Sequence, residues 1–169
     1  MRACSLATCL VAAASAFSAD LPPLNEAVLR FCEERVGKKV GDGTCAALAD
    51  EAFREAGAKG PRDGAEADAG VVWGAAVERA EDVKPGDVIQ FRDVTLVFRA
   101  RSGLRYVRYY PQHTAVVARN RGGGWFDVYE QNVVSPGADA ERRSRLRKRD
   151  VDFRHMVQGT VRFYRPEPR

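Results

Sequence analysis

Cys45 is the side chain best placed in this sequence to act as a nucleophile. It follows Gly41-Asp42-Gly43-Thr44 and opens an amphipathic pattern in which Leu48, Ala49, Ala52, Phe53 and Ala56 recur at helical spacing. Thr44 suits an N-cap, which makes Cys45 the first helical residue. A thiol there feels the partial positive charge of the helix N-terminus, and that favours thiolate over thiol. The apolar face also contains Cys45, so the same spacing describes a small core residue. A base nearby would separate the two. The chain has two histidines. His155 reads as structural, as does Trp73, while His113 opens the strand-like run His113-Thr114-Ala115-Val116-Val117-Ala118.

That run leads through a glycine-rich turn into Trp125-Phe126-Asp127-Val128-Tyr129-Glu130-Gln131-Asn132. With Gly122-Gly123 as a two-residue turn, Arg121 pairs with Gly124, and counting back along both strands places His113 opposite Asn132. Glu130 then lies on the same face, on the diagonal, within reach of the imidazole. A carboxylate and an amide beside one histidine fix its tautomer and stabilise its cation, as a general base next to a thiol requires. A three-residue turn would instead set Gln131 opposite His113 and send Glu130 and Asn132 to the other face.

Taken in order, Gly43-x-Cys45 at a helix start, Pro85-Gly86-Asp87-Val88-Ile89-x-Phe91, His113-x-Ala115-Val116-Val117 and Glu130-Gln131-Asn132 resemble the CHAP amidases and their NlpC-type relatives among papain-like cysteine peptidases. The resemblance runs from about Leu24 to Pro166. It implies an α+β fold, with N-terminal helices carrying the cysteine on a small antiparallel sheet carrying the histidine. It also implies that Cys45 is the nucleophile, His113 the base, Glu130 the residue orienting it and Asn132 an accessory polar group. The substrate would be an amide, in a peptide or in peptidoglycan-like material, with no cofactor. Gln112 stands where the family usually has glycine, and Ala46 and Ala47 where a larger apolar residue is common. A basic and aromatic insertion, residues 92–111, precedes His113 and could roof the cleft or replace the usual substrate contacts.

The remaining sequence must position these groups. At 169 residues the chain supports one domain with a proper core. Met1-Arg2 and the apolar run Ala3 to Phe17, with small residues near Ala16 and Ser18, form a secretory-type leader over residues 1–19. The domain then occupies residues 20–169, in a secreted product with no membrane span after the leader. Without the leader only Cys32 and Cys45 remain; Cys32 lies on the apolar face of the first helix and is expected to be buried and reduced, although a Cys32–Cys45 disulfide stays open. No cysteine and histidine cluster suits a metal.

The first helix should be capped by Asn25 and run to about Gly37, and the second should run from Cys45 to near Gly57. A loop follows to residue 70, and Lys84-Pro85-Gly86-Asp87 forms a turn. Strands are expected at residues 88–91, 95–100, 106–110, 113–118, 125–134 and 160–164. Helices early and strands late argue for α+β with an antiparallel sheet. The net charge is +4, with basic residues dense between Arg142 and Arg154. That run is either a solvated loop or a surface for an acidic polymer. In the second case the protein would be a binding module for an acidic glycan or nucleic acid rather than an enzyme.

Overall fold

The computed structural model describes residues 21–63, 70–133 and 139–169. The expected leader lies outside them. Helix α1, Pro23–Glu33, starts with proline in its first turn, where a missing N–H costs nothing. Asn25 does not cap it. The side chain is wholly buried within the helix, and its Nδ2 donates to the Pro85 carbonyl at 2.9 Å and to Asp87 Oδ1 at 2.7 Å. The helix also ends before the expected Gly37, which takes φ 83° as the chain turns. Helix α2, Cys45–Ala56, has the expected cap: Thr44 Oγ1 accepts the Ala47 N–H at 3.2 Å. Gly57, at φ 77°, closes its C-terminus in the left-handed conformation.

Strands β1, Arg62–Asp63, and β2, Val71–Val72, form a small antiparallel pair. The main sheet is built from β3 (Ala75–Val77), β4 (Val88–Arg99), β5 (Arg105–Gly122), β6 (Trp125–Glu130), β7 (Arg147–Asp152) and β8 (Met156–Arg165). Its six strands lie in the order β3-β8-β4-β5-β6-β7, every neighbour antiparallel. The fold is therefore α+β. A single turn of helix, α3 (Ala140–Arg143), precedes β7. Among the described residues no helix is long and apolar enough to cross a membrane.

Three expectations change. The separate strands at 95–100, 106–110 and 113–118 are parts of β4 and β5, which stay paired out to Arg99↔Arg105, so the insertion is a hairpin arm of the sheet itself. The strand expected to reach residue 134 stops at Glu130. The basic run is not a loop: it contains α3 and β7, and β7 pairs with β6 as the sheet's edge. Its charged sequence is suited to an edge, where charge discourages pairing with other chains.

The sheet's pleat divides the core. Val88, Val116 and Tyr129 pack with Val28, Cys32, Leu48, Ala52 and Phe53 of the two helices. Their chain neighbours Ile89, Val117 and Val128 point to the opposite face, with Phe91, Phe126 and Val151. The turn before β4 is pinned to both halves. Asp87 is fully buried and takes hydrogen bonds from Asn25, from the Lys84 N–H at 2.8 Å and from Arg165 Nη2 at 2.8 Å. Arg165 ends β8, so one carboxylate joins α1, the β4 turn and the final strand. Gly86 has φ 83°, and a Cβ there would come within 2.3 Å of the Asn25 carbonyl oxygen.

Asp87→Ala should thus take this acceptor from the buried Asn25 amide and the half-buried Arg165 and cost about 2–3 kcal/mol. Gly86→Ala should be comparably damaging, because backbone cannot give way. Urea unfolding midpoints test both; wild-type midpoints would show that the turn does not join the two halves.

Candidate active site

The β5–β6 ladder ends at Val116↔Tyr129, and the start of α2 comes against β5 beyond that point. The His113 ring and the backbone N–H groups of Thr114 and Ala46 act on the Cys45 thiol, each favouring its thiolate. On the far side of the ring, His113 Nε2 lies 3.2 Å from Glu130 Oε2. With Nε2 on the carboxylate, Nδ1 is the nitrogen left for the thiol. His113 is 4% exposed and Glu130 0%. Phe91 and Tyr110 wall the imidazole, their ring centroids 5.5 and 5.2 Å from it.

Charge follows from these contacts. Burial is the strongest single influence on Cys45 and raises its pKa, but the His113 hydrogen bond and charge with the two N–H groups together outweigh it, so the thiol is more acidic than usual. For His113, burial pushes down, and hydrogen bonds to Cys45 and Glu130 overcome it and lift the pKa to about 9. Both shifts favour a thiolate–imidazolium pair at neutral pH. Glu130 has cations behind it. Its Oε1 lies 3.6 Å from Arg149 Nε, and Arg147 stands directly opposite it in the β6–β7 register.

The loop carrying Cys45 is held by Gln131, a residue with no reacting group. Gln131 is fully buried; its Oε1 accepts the Val40 N–H at 3.2 Å, and its Nε2 donates to the carbonyls of Val40 at 2.9 Å and Thr44 at 2.7 Å. The first helical turn is anchored at the other end by Asp42, whose Oδ1 accepts the Thr44 N–H at 2.8 Å and the hydroxyl at 2.7 Å. Gln90 performs a similar service for β5. Its Oε1 accepts from Trp73 Nε1 and Thr114 Oγ1, and its Nε2 donates to the His113 carbonyl. Neither glutamine bears charge or nucleophilic character, so only its burial reveals it.

Asn132 does not join the group. It follows the end of β6 at φ 60°, its side chain is exposed, and its backbone N–H donates to the Arg143 carbonyl at 2.7 Å. The positive φ turns the chain away before the residue can face His113. Cys32 and Cys45 are both free, and Cys32 is buried in the helical core, so no disulfide blocks the thiol. Among the described residues no three His, Cys, Asp or Glu side chains converge as a metal site.

The family model for the AIM3/BBC1 cysteine proteinase-fold domain matches residues 23–169. A solved structure, the crystal structure of Ly7917 with the hydrolyzing product of MDP, is similar at a TM-score of 0.47 and 18% identity, over 84% of this chain. This chain spans 62% of the length of that one. No curated protein matches the sequence.

Iodoacetamide should label Cys45 quickly under mildly acidic conditions, where a thiol of ordinary pKa ~8.5 is almost inert. Cys32, its thiol made less acidic by burial, should label only on unfolding. His113→Ala should move the Cys45 rate profile to higher pH; an unmoved profile would mean that the ring does not govern the thiol. Gln131→Ala should slow labelling and cost about 2–3 kcal/mol through the unpaired Val40 and Thr44 groups. Asn132→Ala should do neither.

Proposed function

We propose that this chain, which belongs to the AIM3/BBC1 cysteine proteinase-fold domain family, is a cysteine hydrolase that cleaves amide bonds. The observation that carries this is the Cys45–His113–Glu130 line, in which the buried His113 pairs with the buried Glu130 at 3.2 Å and acts on a half-buried Cys45, and both Cys45 and His113 are shifted toward their charged forms. In finer detail the reading is a CHAP- or NlpC-type peptidase or amidase, secreted after loss of its leader and acting on a peptide or peptidoglycan-like substrate. The ordered motifs and the apolar N-terminal run support it.

The chemistry follows from the geometry. His113 holds the proton that Cys45 has given up, and the thiolate adds to the substrate carbonyl carbon. The oxygen that gains charge meets the Cys45 backbone N–H, which lies in the first turn of α2 and has no intrahelical acceptor. His113 then protonates the leaving amine as the C–N bond breaks, leaving an acyl-thioester. The neutral ring next takes a proton from water, whose oxygen attacks the thioester. The products are a carboxylate and the regenerated pair. Glu130 keeps the ring oriented and supports its cation throughout.

The alternative, a binding module acting through the run between Arg142 and Arg154, has less to stand on. Arg145 pairs with Glu141 and Arg154 with Asp152, while Arg147 and Arg149 border the buried Glu130. Much of the run's charge is thus already matched within the protein.

Incubation with a defined peptide mixture should produce new termini by mass spectrometry, and none with Cys45→Ala. Glu130→Gln should lower turnover by about 10²- to 10⁴-fold. Turnover should fall as pH rises through about 9, where His113 loses the proton destined for the leaving amine. Cleavage that persists in Cys45→Ala would sink the hydrolase reading.

A further inference from the structure

Strand β5 has one edge that is only half used. On one side β4 pairs with it from Val88↔Val116 out to Arg99↔Arg105. On the other, β6 pairs with it only between Val116 and Gly122. From Arg105 to Ala115 no described strand lies on the β6 side, because β6 ends at Glu130 and Asn132 turns the chain toward Arg143. A row of unpaired main-chain groups is a template for another extended segment. Edges that are not used this way are commonly blunted by short length, charge or proline; here Pro111 interrupts an edge that otherwise exposes Tyr106, Val107 and Tyr109 by more than half.

Beside this edge runs a trough of about 850 Å³, whose walls include Phe98, Tyr106, Tyr109, Val133, Arg105 and Arg149. No acidic residue is among the described residues that line it. Arg105 makes no ion pair among the described residues, so its charge is available. The inner end of the trough reaches the catalytic group: Tyr110 lines it with its ring centroid 5.2 Å from that of His113, and Arg149 borders Glu130. Farther along the same strand, the Thr114 N–H supports the Cys45 thiolate.

We propose that this edge and trough bind an extended acidic peptide, added to the sheet as a strand beside β5. Its main chain pairs with the open edge. Its side chains alternate between the two faces of the sheet, apolar ones against Phe98 and Tyr106, which share a face, and carboxylates on the other face beside Arg105. Tyrosines and arginines would also suit a nucleic acid, but an edge that alternates N–H with C=O, beside the aliphatic Val107 and Val133, matches the main chain and apolar side chains of a peptide better than it matches phosphates and bases. A segment bound this way leads toward Cys45. Its identity as part of the substrate rests on the hydrolase reading; its binding does not.

The test uses the full chain carrying Cys45→Ala and an acetylated, amidated hexapeptide of alternating Leu and Glu, titrated calorimetrically. Saturable binding is expected, with Arg105→Ser and Tyr106→Ser each weakening it about three- to tenfold. Backbone N-methylation on one of the two alternating sets of residues should weaken it by at least about tenfold, the other set by less. Replacing Glu with Lys should abolish it. The proposal is overturned by no saturable binding, by undiminished binding of both N-methylated peptides, or by an oligo-dT strand that binds more tightly and displaces the peptide. Binding by Cys45→Ala without cleavage by the wild type would leave the site standing and remove only its assignment to the substrate.

Discussion

One side-chain amide keeps the two halves of the molecule in working register. Gln131 offers Val40 an acceptor and a donor at once, as a neighbouring peptide group in a sheet would, and adds a bond to Thr44. The helical half supplies the nucleophile and its helix terminus; the sheet supplies the base and the carboxylate. None of these acts at a distance, since a thiol displaced by an ångström no longer shares a proton with an imidazole. Burial makes the tether strict. Away from water, a broken bond to Val40 has no substitute, so the loop is held in one position rather than several.

Much of the site could be read from residue types, and part of it for a reason that the structure revises. The Thr44 cap and the start of α2 followed from local chemistry and appear as expected. The hairpin did not form as expected: Gly122 pairs with Trp125, so the turn is Gly123-Gly124, one residue later. Two bulges in β5, at Ala118 and Arg121, then each take up one residue and restore the expected alignment by Val117↔Val128. His113 and Glu130 meet because the errors cancel. Bulges leave no trace in an alternating pattern, which is why the shift was illegible. Asn132 failed for another reason: a strand can be extrapolated only while its backbone stays extended, and φ 60° ends it.

The basic run shows the limit of charge as a guide. Arg147-Lys148-Arg149-Asp150 carries no apolar alternation, so nothing in it announces a strand. Yet β7 is one, and its pleat turns Arg147 and Arg149 inward while Lys148 and Asp150 remain exposed. What looks from composition like a surface for acidic polymers is in part the electrostatic support of a buried carboxylate. Asn25 is the converse case: a residue type suited to capping is used to hold Asp87.

The position of β8 bears on how the chain comes to be folded at all. It is the last strand in sequence yet lies inside the sheet, between β3 and β4, and Arg165 at its end completes the Asp87 cluster. During synthesis β4 to β7 emerge first, with the edge of β4 uncovered until residues 156–165 follow. The domain therefore completes its sheet late, through a contact of long sequence separation, and such pairings form slowly. Nascent chains paused shortly before β8 would present an apolar, hydrogen-bond-hungry edge to their neighbours and to chaperones. Emergence of residues 156–165 is what covers that edge.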